Sequence, residues 1–179
     1  DIRGFTSISE KLEPQELVRV LNTYFSAVTK TIIQNSGVLD KYIGDAIMAF
    51  WGAPLPDPNQ AERAVETGLS MLEKLDELNI QLKANGDPEI KIGIGIVTGN
   101  AVVGNVGSEH RFDYTAIGDT VNAASRIEGI TKEYKVPLII GETTLAKIKN
   151  QGKFKFTPLG VATVKGKEKG IRIFGVERK

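Results

Sequence analysis

The pattern of apolar and polar positions predicts two long amphipathic helices in the first half of the chain. Pro14 suits the first turn of a helix, and Gly37 ends that helix. Between them, apolar residues recur at near-helical spacing, namely Leu17, Leu21, Phe25, Val28 and Ile32. The second helix ends near Gly86 and has on one face Ala61, Val65, Leu69, Leu72, Leu75 and Leu78. Each helix therefore has one face for a hydrophobic core.

Short apolar runs predict strands, and the first of them pair as sequence neighbours. Residues 38 to 43 and 46 to 51 are separated only by Gly44-Asp45, the signature of a tight type II′ hairpin with Asp45 at its tip. Residues 90 to 97 and 101 to 106, joined by residues 98 to 100, predict a second hairpin. A polar loop is expected after it, at residues 108 to 111.

The remaining segments predict a mixture of helices and strands. A helix is expected from about residue 120 to 132, a strand over 136 to 140, a short helix over 143 to 149, and two last strands on either side of Lys165. Hairpins outnumber strand–helix alternations. We therefore expect one α+β domain over residues 1 to 179, with a mostly antiparallel central sheet and flanking helices, rather than a Rossmann fold.

Composition narrows the classes of function. The 179 residues, 41% of them hydrophobic, suffice for one core. With 23 Lys and Arg against 22 Asp and Glu, there is no overall basic field, and no nucleic acid partner is expected. The chain has no Cys, which removes thiolate chemistry and favours a reducing, cytoplasmic compartment. Apolar runs such as residues 46 to 51 are too short to span a bilayer.

Two aspartates are the first candidates for chemistry. Asp1 precedes a segment in which Gly4 allows backbone N–H groups to approach an anion closely. Taken alone, this segment favours an ordinary strand-to-helix turn with a solvated Asp1, and Asp45 is a common type of turn residue. A divalent cation that bridges phosphate oxygens, however, requires hard carboxylate ligands. Taken one at a time, the two residues leave both interpretations open.

Three segments taken together resemble the ordered signature motifs of the class III nucleotidyl cyclases. They are Asp1-Ile-Arg-Gly-Phe-Thr, Lys41-Tyr-Ile-Gly-Asp and Tyr114-Thr-Ala-Ile-Gly-Asp-Thr-Val-Asn-Ala-Ala-Ser-Arg. The resemblance continues through Gly95-Ile-Val-Thr-Gly, Val103-Gly-Asn-Val-Gly and Val164-Lys-Gly-Lys, and so covers nearly the whole chain. It implies the cyclase fold, with a ferredoxin-like βαββαβ core. It also implies an adenylate cyclase, which converts ATP to 3′,5′-cyclic AMP and pyrophosphate.

The resemblance implies a metal site and a triphosphate site. It makes Asp1 and Asp45 the metal-binding aspartates and adds the backbone carbonyl of Ile2, for two Mg²⁺ or Mn²⁺ ions per active site. Such ions activate the ribose 3′-hydroxyl and neutralise the triphosphate, so that pyrophosphate leaves in line. By the same resemblance, Phe5 and Thr6 supply backbone donors to the triphosphate.

A second set of residues is implied to act on the ribose and the phosphates. Asn122 and Arg126 are four residues apart on a predicted helix, so both project from one face. The resemblance assigns Asn122 to the ribose and Arg126 to the charge that develops on the α-phosphate. An ion pair with Glu128 is the alternative role for Arg126. Lys165 matches the family lysine that reaches the β- and γ-phosphates.

Base selection is implied for Lys41 and Thr115. Lys41 can donate to adenine N1, and Thr115 can accept from the exocyclic amino group. Guanylate cyclases of the family typically have Glu at the position of Lys41. A buried unpaired donor costs ~1–3 kcal/mol, or roughly 5- to 150-fold, so ATP is expected over GTP. Thr115 also resembles a subclass for which bicarbonate stimulation is described, and bicarbonate is therefore a candidate effector.

Class III cyclases work as head-to-tail dimers whose active sites combine residues from both subunits. Every role is present in this one chain, so the resemblance implies a homodimer with two equivalent sites. It also implies a strand before Asp1 that the sequence lacks, and it is compatible with regulatory or membrane modules upstream. Two alternatives stay open: a guanylate or dual-specificity cyclase, and a non-catalytic nucleotide-binding regulatory domain.

Overall fold

Helices and strands alternate irregularly along the chain, which a computed structural model describes over residues 1–163 and 170–179. The helices in these ranges are α1 (Phe5–Ser9), α2 (Pro14–Gln34), α3 (Gln60–Ala84), α4 (Asp119–Tyr134) and α5 (Glu142–Leu145), with a 3₁₀ turn at Gln151–Lys153. The strands are β1 (Val38–Ile43), β2 (Ala46–Phe50), β3 (Ile94–Ile96), β4 (Val102–Ser108), β5 (Arg111–Ile117), β6 (Leu138–Gly141), β7 (Phe154–Ala162) and β8 (Ile171–Arg178). Lys165 lies outside the described residues.

A four-stranded sheet in the order β3-β6-β8-β7 forms the centre of the fold. β6 and β8 pair antiparallel, as do β7 and β8, whereas β3 and β6 are parallel. Two further hairpins, β1-β2 and β4-β5, are separate two-stranded sheets. Helices pack on the sheet, as the apolar stripes predicted. The expected α+β arrangement, with mostly antiparallel strands and flanking helices, is confirmed.

β6 is buried on both faces because a helix covers each one. Leu138 and Ile140 point to one side and join a cluster with Val65 and Leu69 of α3. Ile139, between them, points to the other side and joins a cluster with Ile127 of α4. A strand covered on both faces shows a continuous apolar run rather than an alternating one, as this strand does.

The two long helices form where the apolar spacing predicted them. α2 begins at Pro14 and buries a stripe made of Val20, Tyr24, Val28 and Ile32. These residues pack on the second half of α3, whose Leu75, Leu78 and Leu82 belong to the same cluster. α3 therefore connects two parts of the core, since its first half covers the central sheet and its second half covers α2.

The hairpin predicted for residues 90 to 106 is wrong. β3 pairs with β6, 44 residues further along at the register pair Ile94 and Leu138, and not with its neighbour β4. β4 pairs instead with β5, around a tip at Glu109-His110 in the segment expected to be a polar loop. Ile94 and Ile96 pack against the clusters under α3, so burial takes β3 into the central sheet, whereas the more exposed β4 is left to pair locally.

The hairpin predicted around Gly44-Asp45 is confirmed. β1 and β2 are antiparallel, and Ile43 and Ala46 form the last register pair before the tip. Gly44 has φ of 62°, a left-handed conformation that suits glycine at the first position of such a turn. The register contains one irregularity, because Leu39 faces Ala49 while Lys41 faces Met48. Asp40 is the extra residue of this β-bulge.

No helix in the described ranges is long and apolar enough to cross a membrane. β8, the last strand, buries Ile171, Ile173 and Val176 in the core clusters. β7 and β8 have the longest run of register pairs in the central sheet, from Phe154 opposite Arg178 to Ala162 opposite Ile171. β7 is the strand at one edge of this sheet, next to β8.

A glycine on β3 permits the close approach of α4. A Cβ at Gly95 would collide with backbone atoms of Ala124 and Glu128, including the Glu128 Cα at 2.8 Å. Because backbone cannot move aside as a side chain can, Gly95→Ala should lower the free energy of unfolding by at least about 2 kcal/mol. Urea denaturation at a fixed protein concentration measures this change.

Gly129, on α4 itself, provides the matched control. A Cβ there has no atom within 4 Å, so Gly129→Ala should instead raise the free energy of unfolding by about 0.5–1 kcal/mol through helix propensity. Equal stabilities for Gly95→Ala and the unsubstituted protein would contradict the packing of α4 on β3.

Candidate active site

The start of the chain lies against the strand-like segment before β3. Ile2 and Ile92 form an antiparallel bridge, in which the Asp1 nitrogen donates to the Gly93 carbonyl at 3.0 Å and the Gly93 nitrogen donates back at 2.9 Å. Arg3 continues the pairing, since its nitrogen donates to the Lys91 carbonyl at 2.7 Å. The backbone groups of Ile2, between them, therefore point away from residues 91 to 93.

Asp45 accepts a hydrogen bond from this free side of Ile2. The Ile2 nitrogen donates to Asp45 Oδ2 at 3.2 Å, across 43 residues of sequence. Ile2 is buried, whereas the Asp1 side chain is exposed beside it. The structure thus brings three of the predicted residues together, because the hairpin tip aims Asp45 at the backbone that links Asp1 to the core.

Tyr24 of α2 is almost fully buried in the core. Burial, followed by the negative charge of Asp45, raises the pKa of the Tyr24 hydroxyl above its usual range. Within residues 1–163 and 170–179, no cluster of three or more His, Cys, Asp or Glu side chains exists that could hold a metal ion. The available donor set is two carboxylates and a backbone carbonyl. These are hard oxygen ligands, the kind that Mg²⁺ and Mn²⁺ prefer.

The start of α1 presents backbone donors next to this group. Gly4 precedes the helix with φ of 63° and ψ of 30°, and no side chain caps it. The N–H groups of Phe5 and Thr6 stand in the first turn, where a helix offers them no internal acceptor. Such groups can donate to an anion, and the binding of a triphosphate by Phe5 and Thr6 stays a prediction.

Lys41 and Thr115 come together on the other side of the β1-β2 hairpin. The Lys41 Nζ atom lies 3.5 Å from Asp40 Oδ1 and 3.7 Å from Asp113 Oδ2. The Thr115 hydroxyl donates to Asp40 Oδ2 at 2.6 Å, and the Ala116 nitrogen donates to the same oxygen at 3.1 Å. One carboxylate therefore joins the two predicted base-selecting residues, which are separated by 74 positions.

Asp40 is a residue that the sequence did not single out. Its side chain is 0% exposed, and its Oδ1 atom has no hydrogen bond within the described part of the chain, although the Lys41 ammonium is near. A buried carboxylate is costly unless it is paired. The signal in the sequence is a charged residue inside an apolar strand, directly before a candidate substrate-binding lysine. The bulge that turns Asp40 inward has no such signal.

Asn122 and Arg126 lie on the exposed face of α4, opposite Ala123 and Ile127, which are buried. The alternative role for Arg126 is not observed. Glu128 is 3.8 Å from Arg3 instead, and among the residues described Arg126 has no salt bridge. Both side chains are therefore available to a ligand that approaches α4 from outside. His110 is exposed at the tip of the β4-β5 hairpin.

Apart from Phe5 and Thr6 in α1, the predicted site residues in the described ranges fall into two groups. The metal group comprises Asp1, Ile2 and Asp45, and the base-and-phosphate group comprises Lys41, Thr115, Asn122 and Arg126. In the ranges that the structure covers, no hydrogen bond or ion pair joins the groups. Two open depressions, each about 520 Å³, lie elsewhere: one between α2 and Tyr42, and one around Arg3 and Ile90.

The chain belongs to the adenylate and guanylate cyclase catalytic domain family, whose model matches residues 1–177. Adenylate cyclase 1 of Rhizobium meliloti (strain 1021) is 40% identical over 98% of this chain. The chain spans only 26% of the length of that relative. The family explains why these motifs occur in this order.

Solved structures of the same family confirm the fold. The adenylyl cyclase CyaB from P. aeruginosa superposes with a TM-score of 0.91 at 33% identity, over 100% of this chain and 91% of that one. The guanylyl cyclase Cya2 gives a TM-score of 0.86 at 37% identity, over 98% of this chain and 87% of its own. The class III cyclase fold expected from the motifs is therefore correct, and the relatives include enzymes named for both nucleotides.

Proposed function

We propose that this chain is the catalytic domain of an adenylate cyclase, which converts ATP to 3′,5′-cyclic AMP and pyrophosphate. The assignment of ATP as the substrate rests on the pair formed by Lys41 and Thr115 around Asp40. Lys41 can donate a hydrogen bond to a base, and Thr115 can accept one. Adenine offers the complementary edge, an acceptor at N1 and a donor at the 6-amino group. A relative named adenylate cyclase, 40% identical over nearly the full chain, supports the same assignment.

GTP is the competing substrate, because the chain is also 37% identical to a guanylyl cyclase. Guanine presents a donor at N1 and an acceptor at C6, the reverse of adenine. The Lys41 ammonium would then face the guanine N1–H group, donor against donor. One ammonium N–H would be buried without a hydrogen-bond acceptor, which is unfavourable. The residue at position 41 therefore favours ATP, and the chain's overall similarity does not decide the base.

Asp1 and Asp45, with the Ile2 carbonyl, are the residues proposed to hold two Mg²⁺ or Mn²⁺ ions. When bound, such ions supply charge neutralisation for the triphosphate and activation of the 3′-hydroxyl. The chain itself orients Asp45, since the Ile2 N–H holds one carboxylate oxygen at 3.2 Å. Phe5 and Thr6 donate backbone N–H groups to the triphosphate, and Lys165 is proposed to bind its outer phosphates.

Asn122 and Arg126 are proposed to act on the reacting end of the nucleotide. Asn122 orients the ribose, while the Arg126 guanidinium donates to oxygens of the α-phosphate as their charge develops. Both residues project from a helix that is packed on the central sheet, so the backbone that carries them is held in place. Among the described residues Arg126 has no ion-pair partner, which suits it to bind an anionic ligand.

The active site is proposed to form between two copies of the chain, arranged head to tail. Within the described residues no hydrogen bond or ion pair joins the two residue groups, which is consistent with their serving different sites. The β1-β2 and β4-β5 hairpins also expose large apolar side chains, with Ile43 58%, Phe112 61% and Ile117 49% exposed. Burial against a second copy would remove these side chains from water. Bicarbonate, as an effector, remains a proposal from the resemblance of Thr115 alone.

Complementation between two inactive variants tests the shared site. Arg126→Ala should lower the rate of cyclic AMP formation by about 10²- to 10³-fold, because one transition-state donor is lost, and Asp45→Ala should nearly abolish it. Co-expression with two different tags isolates the mixed dimer. One of its two sites is intact, so it should recover about half of the activity of the unsubstituted dimer.

Lys132→Ala, which removes another exposed cation from α4, is the control and should leave the rate within about twofold. A mixed dimer as inactive as either parent variant would refute the shared site. Absence of cyclic AMP and pyrophosphate from the unsubstituted protein, despite binding of ATP and Mn²⁺, would instead favour a regulatory domain.

Substitution at Lys41 tests the choice of base. Lys41→Glu replaces the donor with an acceptor, so the ratio of kcat/KM for ATP to that for GTP should fall by roughly 5- to 150-fold. Lys41→Met keeps the length without either function and should produce a smaller fall. Steady-state rates of pyrophosphate release with each nucleotide measure both ratios. Unchanged ratios in Lys41→Glu would show that this residue does not face the base.

A further inference from the structure

Asp40 holds the Thr115 hydroxyl in one hydrogen-bonding direction. A threonine hydroxyl has a single proton and two lone pairs, so by itself it can either donate or accept. Here its proton is committed to Asp40 Oδ2 at 2.6 Å. The Ala116 N–H, which can only donate, occupies the same oxygen at 3.1 Å and confirms that this oxygen is an acceptor. Only lone pairs of the Thr115 oxygen remain for a ligand.

The surroundings of Asp40 keep this direction from reversing. The Asp40 side chain is fully buried and Thr115 is 6% exposed, so water does not offer the hydroxyl proton another acceptor. The bulge at Asp40 turns this side chain towards β5 while Lys41 keeps its register with Met48. The Lys41 ammonium, 3.5 Å from Asp40 Oδ1, balances the buried charge.

We propose that Asp40 is a positioning residue for base selection. By holding the hydroxyl proton, Asp40 makes Thr115 an obligate hydrogen-bond acceptor towards the base. This proposal rests on the proposed base-binding role of Thr115 and Lys41. The acceptor role of Thr115 matters for the group at C6 of the purine. An amino group at C6 donates to Thr115, whereas a carbonyl at C6 meets lone pair against lone pair. A hydroxyl with a free proton would rotate and bind either group. Without Asp40, Thr115 would not discriminate between them.

The test compares ATP with inosine triphosphate, which has a carbonyl at C6 but no 2-amino group. The purified protein is assayed with Mn²⁺ by pyrophosphate release, a product common to both nucleotides. Asp40→Ala frees the Thr115 proton, so the ratio of kcat/KM for ATP to that for inosine triphosphate should fall about 10-fold. An unchanged ratio in an active Asp40→Ala protein would overturn the proposal.

Asp113→Asn is the matched control for the charge near Lys41. Asp113 lies 3.7 Å from the Lys41 ammonium, as Asp40 does at 3.5 Å, but it has no hydrogen bond to Thr115 among the described residues. Its substitution should leave the ratio of the two nucleotides within about twofold of the original. An equal fall in Asp113→Asn and Asp40→Ala would assign the effect to the charge balance of Lys41 and refute the proposal.

Asp40→Asn separates hydrogen-bond direction from charge at the same position. The Ala116 N–H holds the amide oxygen where Oδ2 was, so that oxygen still accepts the Thr115 proton. Selectivity should therefore stay close to that of the unsubstituted protein, although the negative charge is gone. Loss of selectivity as large as in Asp40→Ala would contradict an orienting role.

Thr115→Val gives an answer even if Asp40→Ala does not fold, because valine has the same shape as threonine without the hydroxyl. If Thr115 is an obligate acceptor, the valine should lower kcat/KM for ATP about 10-fold and leave inosine triphosphate unaffected or improved. If the proton is free, both nucleotides should lose equally, which would overturn the proposal.

The unsubstituted protein separates this proposal from the one on which it rests. If it releases no pyrophosphate from ATP, the proposed cyclase function fails. If it is active and prefers ATP, but neither Asp40→Ala nor Thr115→Val alters that preference, the function stands and the role of Asp40 is refuted.

Discussion

The burial of β6 on both faces is the constraint on which the rest of the fold depends. Leu138 and Ile140 need α3 on one side, and Ile139 needs α4 on the other. α4 approaches so closely that only a glycine, Gly95, fits beneath it on β3. The outward face of α4 is fixed as a result. Arg126 is thus presented by a helix whose Ala123 and Ile127 are fully buried in the core, and a rigid support of this kind suits a residue that must meet a ligand with a defined geometry.

Backbone amides position both of the important carboxylates. The Ile2 N–H holds Asp45, and the Ala116 N–H holds Asp40. A backbone N–H cannot rotate away, change rotamer or reverse its direction, in contrast to a side-chain donor. The positions of these charges are therefore properties of the strand arrangement. The same device serves a half-buried residue at a hairpin tip and a fully buried side chain in a bulge.

Local patterns in the sequence were sufficient for the helices and for the first hairpin. Helical spacing identified α2 and α3, and Gly44-Asp45 identified the turn that carries Asp45. The pairing of β3 could not be found in this way, because its partner β6 is far along the chain and the choice is made by burial under the helices. Neighbouring apolar runs are equally good partners when judged by composition alone.

The motifs in the sequence indicated most of the candidate site residues, but they did not indicate the buried carboxylate of Asp40 that lies between two of them. Matching segments placed Lys41 and Thr115 as a pair, and the structure brings them together. Asp40 escaped attention because a strand pattern assigns faces by alternation, and a bulge breaks the alternation at this residue. The Asp40 carboxylate is buried where the Thr115 hydroxyl, 75 positions away in the sequence, can donate to it, and a local pattern cannot show such a partner.

The six-residue strand β1 belongs to both groups of site residues. Asp40 and Lys41 lie in it at the proposed base-binding group, while Asp45 lies in the turn that follows its end at Ile43. In a head-to-tail dimer these two ends serve different active sites. The register of this one short strand therefore sets the positions of residues in both active sites of the proposed dimer. A one-residue slip of β1 against β2 would disturb the two catalytic centres at once.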